Sequence, residues 1–168
     1  MQNIIFIHGL ESSGKGFKGN LFNKVLPECL TPDFEKYNPK ISTKTLLKKR
    51  MTQLLLILKN KHPWIIIGSS FGGLMGTIYS CQNPERVSKL ILLAPYLSTS
   101  ELDPKKYSSV DVPVITFHGN RDKIVSLNRS KACAEKLFRN LTYNIVDDDH
   151  YLHNTVMTIN WQKLVRSI

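Results

Sequence analysis

Apolar and polar positions follow two rhythms along this chain. Short, nearly continuous runs of Ile, Val and Leu alternate with longer stretches in which apolar residues recur every three or four positions. The runs NIIFIHG (3–9), WIIIGSS (64–70), VSKLILLA (87–94), VPVITFHG (112–119) and LTYNIVD (141–147) predict strands buried on both faces. A further short strand is expected within ECLTPDF (28–34), where Pro32 argues against a central position. The helical rhythm is clearest in KTLLKKRMTQLLLILKN (44–60), which sets Leu47, Met51, Leu54, Leu55 and Leu58 on one stripe behind Ser42 or Thr43 as N-cap. GGLMGTIYSCQ (72–82) predicts a helix stopped by Asn83-Pro84, and SLNRSKACAEKLFRN (126–140) one capped by Ser126. NTVMTINWQKLVRSI (154–168) predicts a closing amphipathic helix carrying Val156, Ile159, Leu164, Val165 and Ile168. Strands alternating with helices imply an α/β fold, with a mostly parallel sheet of about six strands flanked by helices on both faces. Residues 1–168 are expected to form one domain, with chemistry in the loops at the carboxyl ends of the strands.

Composition changes this picture little. A hydrophobic content of 42% and a charged content of 21% suit an ordinary globular protein, and no apolar run is long enough for a membrane span. MQNIIFIHG lacks a basic start and a cleavage site, so it suggests a first strand rather than a signal peptide. Cys29, Cys81 and Cys133 are odd in number and widely spaced, which points to core filling in a reduced, cytoplasmic setting and to no zinc site. The net charge of +10 is unusual, but Lys and Arg are scattered outside LKKR (47–50) and DPKKY (103–107). Without interleaved aromatic residues, a solvated basic surface is favoured over a nucleic-acid footprint.

Gly68-Ser69-Ser70-Phe71-Gly72 matches G-x-S-x-G between a predicted strand and a predicted helix. So tight a turn needs small residues two before and two after the central serine, which nominates Ser70 as a nucleophile. A serine hydroxyl needs a base within hydrogen-bond reach. His150 and His153 follow the last strand in DDDHYLHN; His150, nearer the strand, is preferred and His153 stays second. His8 fits a structural role better, and His62 and His118 fit a satisfied or exposed one. The base in turn needs a carboxylate to fix its tautomer. Asp122, in the loop of FHGNRDKIV (117–125), is the choice, with an Asx turn as its plain alternative. Asp147, Asp148 and Asp149 lie too close to His150 in sequence and are expected to shape the loop. The chain order Ser70, Asp122, His150 is the Ser…Asp…His order of the G-x-S-x-G hydrolases.

The segment FIHGLESSGKG (6–16) poses a competing assignment. Gly9 to Lys15 fits G-x-x-x-x-G-K, but Gly16 stands where a phosphate-binding loop needs a hydroxyl for Mg²⁺. No acidic metal partner closes WIIIGSS, so nucleotide binding is disfavoured and Lys15 is expected on the surface.

IHGLESS with GFKGN, GSSFGG, LLAP, HGNRD and DDDHYLH together resemble the α/β-hydrolase superfamily across essentially the whole chain, most closely its small cap-less members, the YqiA-like esterases. The resemblance implies an esterase-like hydrolase with Ser70 as nucleophile, His150 as base and Asp122 as orienting acid. It implies oxyanion donors at the backbone N–H groups of Leu10 and Phe71, and no metal or cofactor. The first two antiparallel strands of larger members are expected to be missing, and PYLSTSELDPKKYSSVDVP (95–113) is too short for a cap domain. Tyr96 and Leu97 are expected to line the pocket. The expected partner is a small acyl substrate, with an acyl-CoA-like thioester, or a non-catalytic binding role on the same fold, as alternatives.

Overall fold

A computed structural model describes residues 2–167. Six parallel strands form one sheet: β1 (Asn3–Ile7), β2 (Cys29–Leu30), β3 (Trp64–Ser69), β4 (Val87–Leu93), β5 (Val114–Gly119) and β6 (Leu141–Val146). Their order is β2-β1-β3-β4-β5-β6. The chain steps outward from β1 to β2, then crosses back to β3, so the strand order reverses between β1 and β3. A crevice opens at such a point outside the strand ends.

Because successive strand residues point to opposite faces, each central strand feeds two cores. Ile5, Ile7, Ile66, Leu90 and Leu92 pack under α2 (Thr43–Leu58), α3 (Phe71–Gln82) and α4 (Leu127–Leu137). Ile4, Phe6, Ile65, Ile67 and Leu93 pack on the other face under α1 (Phe17–Val25), α5 (His153–Thr158) and α6 (Trp161–Arg166). The expected α/β class, parallel pairing and strand number all hold, and 28–34 contributes the two-residue edge strand β2.

Two helix expectations need correction. In α2 the buried row is Leu46, Arg50, Leu54 and Leu58, with Leu47 beside it, while Leu55 is 47% exposed. Leu47, Leu54 and Leu58 of the expected stripe are buried, but Leu46 and Arg50 complete the buried row in place of the expected Met51 and Leu55, because the row accommodates a buried arginine. Ser42 is the N-cap, accepting from the Thr45 amide at 3.1 Å. The closing helix is two helices, broken at Ile159–Asn160. Asn160 causes the break: its side chain caps α6 by accepting from the Lys163 amide at 3.0 Å, and a capping residue leaves helical dihedrals. Lys89 of β4 anchors the far end of α6 through the carbonyls of Leu164 and Ser167. Ile168 lies outside the described residues. No helix among the described residues is long and apolar enough to cross a membrane.

Candidate active site

Ser70 follows β3 directly and sits at φ 52°, ψ −112°, in the left-handed half of backbone space that costs a non-glycine residue about 1–3 kcal/mol. The surroundings hold it there. Its amide donates to the Leu93 carbonyl at 2.9 Å, and its carbonyl accepts from the amides of Leu74 and Tyr96 at 3.1 and 3.0 Å. The small residues of the turn are sterically required. A Cβ on Gly68 would stand 2.6 Å from the Gly72 carbonyl oxygen, and one on Gly72 would stand 2.0 Å from that of Ile7. The turn thus presses against both its own helix and β1.

The loops after β5 and β6 bring two further residues to this turn. His150 Nε2 lies 3.1 Å from Ser70 Oγ, and His150 Nδ1 lies 2.7 Å from Asp122 Oδ2. The pairing fixes a tautomer: Nδ1–H donates to the carboxylate, leaving Nε2 free to accept the serine proton. The Asp122 side chain is fully shielded and the His150 side chain is 10% exposed. Burial alone would raise the Asp122 carboxyl. The Val125 amide, the His150 ring and the Ile124 amide outweigh it and hold the group below its ordinary value, hence ionised.

Asp122 has one partner that the sequence did not suggest. His118 Nε2 lies 3.0 Å from the same Oδ2, and His118 Nδ1 lies 2.7 Å from the Tyr143 hydroxyl. Burial lowers the His118 pKa, so the ring is neutral and donates from Nε2 while accepting from Tyr143. With the Ile124 and Val125 amides on Oδ1, both at 2.8 Å, the carboxylate accepts four hydrogen bonds. The i,i+4 spacing of His118 and Asp122 across the end of β5 was the available clue.

The first loop is organised around its carbonyls. Gly9 O accepts from Arg50 Nη1 at 3.1 Å and lies 2.8 Å from His8 Nδ1. In a planar trans peptide, C=O and N–H point in opposite directions. Drawing Gly9 O toward Arg50 therefore turns the Leu10 N–H away, and that amide donates to no acceptor among the described residues. Phe71 opens α3, so its amide has no intrahelical acceptor either. Arg50 also donates to Leu10 O and Glu35 O, both at 2.8 Å. Sequence patterning missed Arg50, although it lies midway along the Leu46–Leu54–Leu58 row at strict i,i+4 spacing. His8 is buried, accepts from the Phe34 amide at 3.0 Å, and is structural. Farther along the loop, the Gly14 amide meets the Asp33 carboxylate at 2.7 Å, so a resident carboxylate occupies an amide that a nucleotide phosphate would need. Lys15 is exposed.

A cavity of about 620 Å³ opens over Ser70 and His150, walled by Leu10, Phe17, Tyr96, Ile124 and Tyr151 among others. Tyr96 lines it as expected. Leu97 does not: it is 2% exposed within the core, its amide 3.3 Å from Ser130 Oγ. His153 stands at the cavity edge, its ring 4.3 Å from that of Phe17. Asp147 pairs with Arg121 at the surface, Asp148 receives the amide and hydroxyl of Thr155, and Asp149 receives the Tyr151 amide. All three serve the loop that carries His150.

Residues 2–110 match the family model for the alpha/beta hydrolase fold. The chain belongs to the α/β-hydrolase family. The matched span of this hydrolase includes Leu10, Ser70 and Phe71 and ends before Asp122 and His150. Solved structures resemble it over nearly its whole length. Mouse alpha/beta hydrolase domain-containing protein 10 is 19% identical with a TM-score of 0.75, the match covering 96% of this chain and 88% of that one. Est1E from Butyrivibrio proteoclasticus, solved with ferulic acid bound, is 17% identical with a TM-score of 0.76, covering 99% and 89%. A Pyrococcus furiosus esterase is 18% identical with a TM-score of 0.72, covering 98% and 80%. At these identities the likeness establishes the fold alone. No curated protein sequence matches the chain.

Proposed function

We propose that this α/β hydrolase is a serine carboxylesterase, with Ser70 as nucleophile, His150 as general base and Asp122 as the orienting acid. One observation carries the proposal: His150 spans the gap between Asp122 and Ser70, at 2.7 and 3.1 Å, with a lining acyl-sized cavity above it. His150 Nε2 takes the Ser70 proton as Oγ bonds to the ester carbonyl carbon. The carbonyl oxygen becomes an oxyanion, received by the Leu10 and Phe71 amides. Collapse breaks the bond to the alcohol oxygen, which leaves with the proton from His150. Water then attacks the acyl-serine, giving its proton to His150, and the acid departs as Ser70 regains the proton. Each oxyanion donor is typically worth about 10²–10³ in rate.

Other features agree with the proposal. The segment between β4 and β5 contains only a short 3₁₀ turn at Pro104–Lys106, which suits a cap-less enzyme with an open site. Cys29, Cys81 and Cys133 are free and buried, with burial pushing their thiols up to about 12, 12 and 11, so none is a rival nucleophile. Free thiols also suit a cytoplasmic setting. The test is labelling by a fluorophosphonate probe together with hydrolysis of short p-nitrophenyl esters. Ser70→Ala should abolish both, and retention of either by that variant overturns the assignment.

A further inference from the structure

We infer that Lys18 forms an anion subsite in the cavity over Ser70, so that the enzyme's substrates are esters bearing a carboxylate or another anionic group beyond the scissile bond. The inference rests on the esterase proposal for the reaction and adds the charge of the substrate.

Three observations on Lys18 converge. It is half-buried in the wall of the cavity that Ser70 and His150 line, where most of the surrounding surface is apolar. Its ammonium has three donors, yet its one hydrogen bond among the described residues goes to the Tyr151 carbonyl at 2.6 Å. No carboxylate lies within ion-pair distance of it among the described residues. Its position in α1 makes matters worse. Lys18 is in the first turn, which holds no acidic residue, so a cation sits at the positive end of the helix. An ammonium taken partly out of water beside a helix N-terminus is destabilising until an anion arrives.

Burial lowers Lys18 to about 8, with Asp149 and Asp148 opposing the shift from farther off, so the group is still charged at neutral pH. Those two carboxylates are already engaged. Asp148 is held by Thr155 and by the Asp149 amide, and Asp149 by the Tyr151 amide. Glu11, the acidic residue of the same cavity, is exposed and solvated, so its lack of a partner costs little. Lys18 is the group whose balance the free protein leaves open. It is tied to the carbonyl of Tyr151, the residue next to His150, so a bound anion would sit close to the reacting ester. The anion could belong to the acyl chain or to the alcohol.

The test compares kcat/KM for two matched substrate pairs. Mono-p-nitrophenyl glutarate against p-nitrophenyl valerate places the charge on the acyl side. 4-Carboxyphenyl acetate against phenyl acetate places it on the alcohol side. The wild-type enzyme should prefer the anionic member of at least one pair by about tenfold or more, and the preferred pair identifies the side. Lys18→Met should cut that anionic-to-neutral ratio at least tenfold, and Lys18→Gln, which keeps a donor for the Tyr151 carbonyl, should do the same if the Met variant folds poorly. Ratios equal to the wild type in both variants, for both pairs, overturn the inference. The neutral esters report on the esterase proposal separately. If neither is hydrolysed, that proposal fails, and the subsite is decided by calorimetric binding of monomethyl glutarate to Ser70→Ala with and without Lys18→Met. Tenfold weaker binding without Lys18 supports the subsite, and equal binding overturns it.

Discussion

Arg50→Met gives the sharpest check on how the first loop is built. The guanidinium is fully buried and donates to the carbonyls of Gly9, Leu10 and Glu35 at 3.1, 2.8 and 2.8 Å. Burial lowers it to about 10, so it remains a cation at neutral pH. Hydrogen bonds from charged donors are worth about 1.5–3 kcal/mol each; removing them takes the side-chain donor from Leu10 O and Glu35 O and leaves Gly9 O with His8 Nδ1 alone. Against this, methionine relieves the cost of burying a charge and keeps packing against Phe71, whose ring centroid is 5.4 Å from the guanidinium carbon. The net loss should be about 3 kcal/mol, or roughly 6–12 °C in melting temperature for a chain of this size.

The kinetic consequence is separate from the stability loss. Gly9 O and the Leu10 N–H belong to one peptide plane, so losing Arg50 leaves His8 as the one side chain holding the carbonyl and loosens the amide. An oxyanion donor that is misaligned rather than deleted should cost about 10- to 100-fold in kcat with little change in KM. Arg50→Lys keeps the charge without the fork and should fall between the two. Thermal melts and p-nitrophenyl ester kinetics below the melting range read the two effects independently. A melting temperature within about 2 °C of wild type would refute the stability reasoning. A normal kcat in a destabilised but folded variant would refute the link from Arg50 to the Leu10 amide.

Two further outcomes follow from the same geometry. Asp122→Asn must turn an NH₂ group either toward the His150 and His118 donors or toward the Ile124 and Val125 amides, so kcat should fall about 10³–10⁴-fold in ester assays. Since the folded Asp122 carboxyl is held below 3.8, its stabilising effect is intact above that pH and fades as pH drops through the folded value; the melting-temperature gap between wild type and Asp122→Asn should therefore shrink only in that acid range. Lys18→Met should raise stability at pH 7 by on the order of 1 kcal/mol, read by denaturant melts. The folded Lys18 pKa of about 8 lies below its unfolded value of 10.5, so wild-type stability recovers between those pH values and the gain should vanish near pH 10.5.

The sequence exposed those parts of the molecule where one residue type answers one local demand. Continuous Ile and Val runs mark strands buried on both faces, and β1, β3 and β4 follow within a few residues. β6 is found in place too, but as an edge strand it has no buried residue and Ile145 is 52% exposed, against the expectation for 141–147. Gly68 and Gly72 are forced by carbonyls 2.6 and 2.0 Å from where a Cβ would stand, so G-x-S-x-G was legible without coordinates. What escaped were the polar contacts outside the Ser70, Asp122 and His150 set, made by side chains with no motif of their own. Arg50 looked like an exposed charge between leucines because its three carbonyl acceptors lie 15, 40 and 41 residues away. His118 looked like an idle strand histidine because the tyrosine that completes its pairing is on β6.

The loop Gly9–Gly16 joins both lessons. Its glycines and amides suggested a cradle for negative charge, and the fold supplies two restraints that decide which amides remain available. Asp33 takes the Gly14 amide, tightening the far end against β2, while Arg50 and His8 take the Gly9 carbonyl and leave the Leu10 amide unspent. A loop pinned at both ends by side chains from other elements cannot wrap a phosphate chain. It can hold one N–H still, and that preorganised donor, together with the Phe71 amide, is what the proposed oxyanion needs.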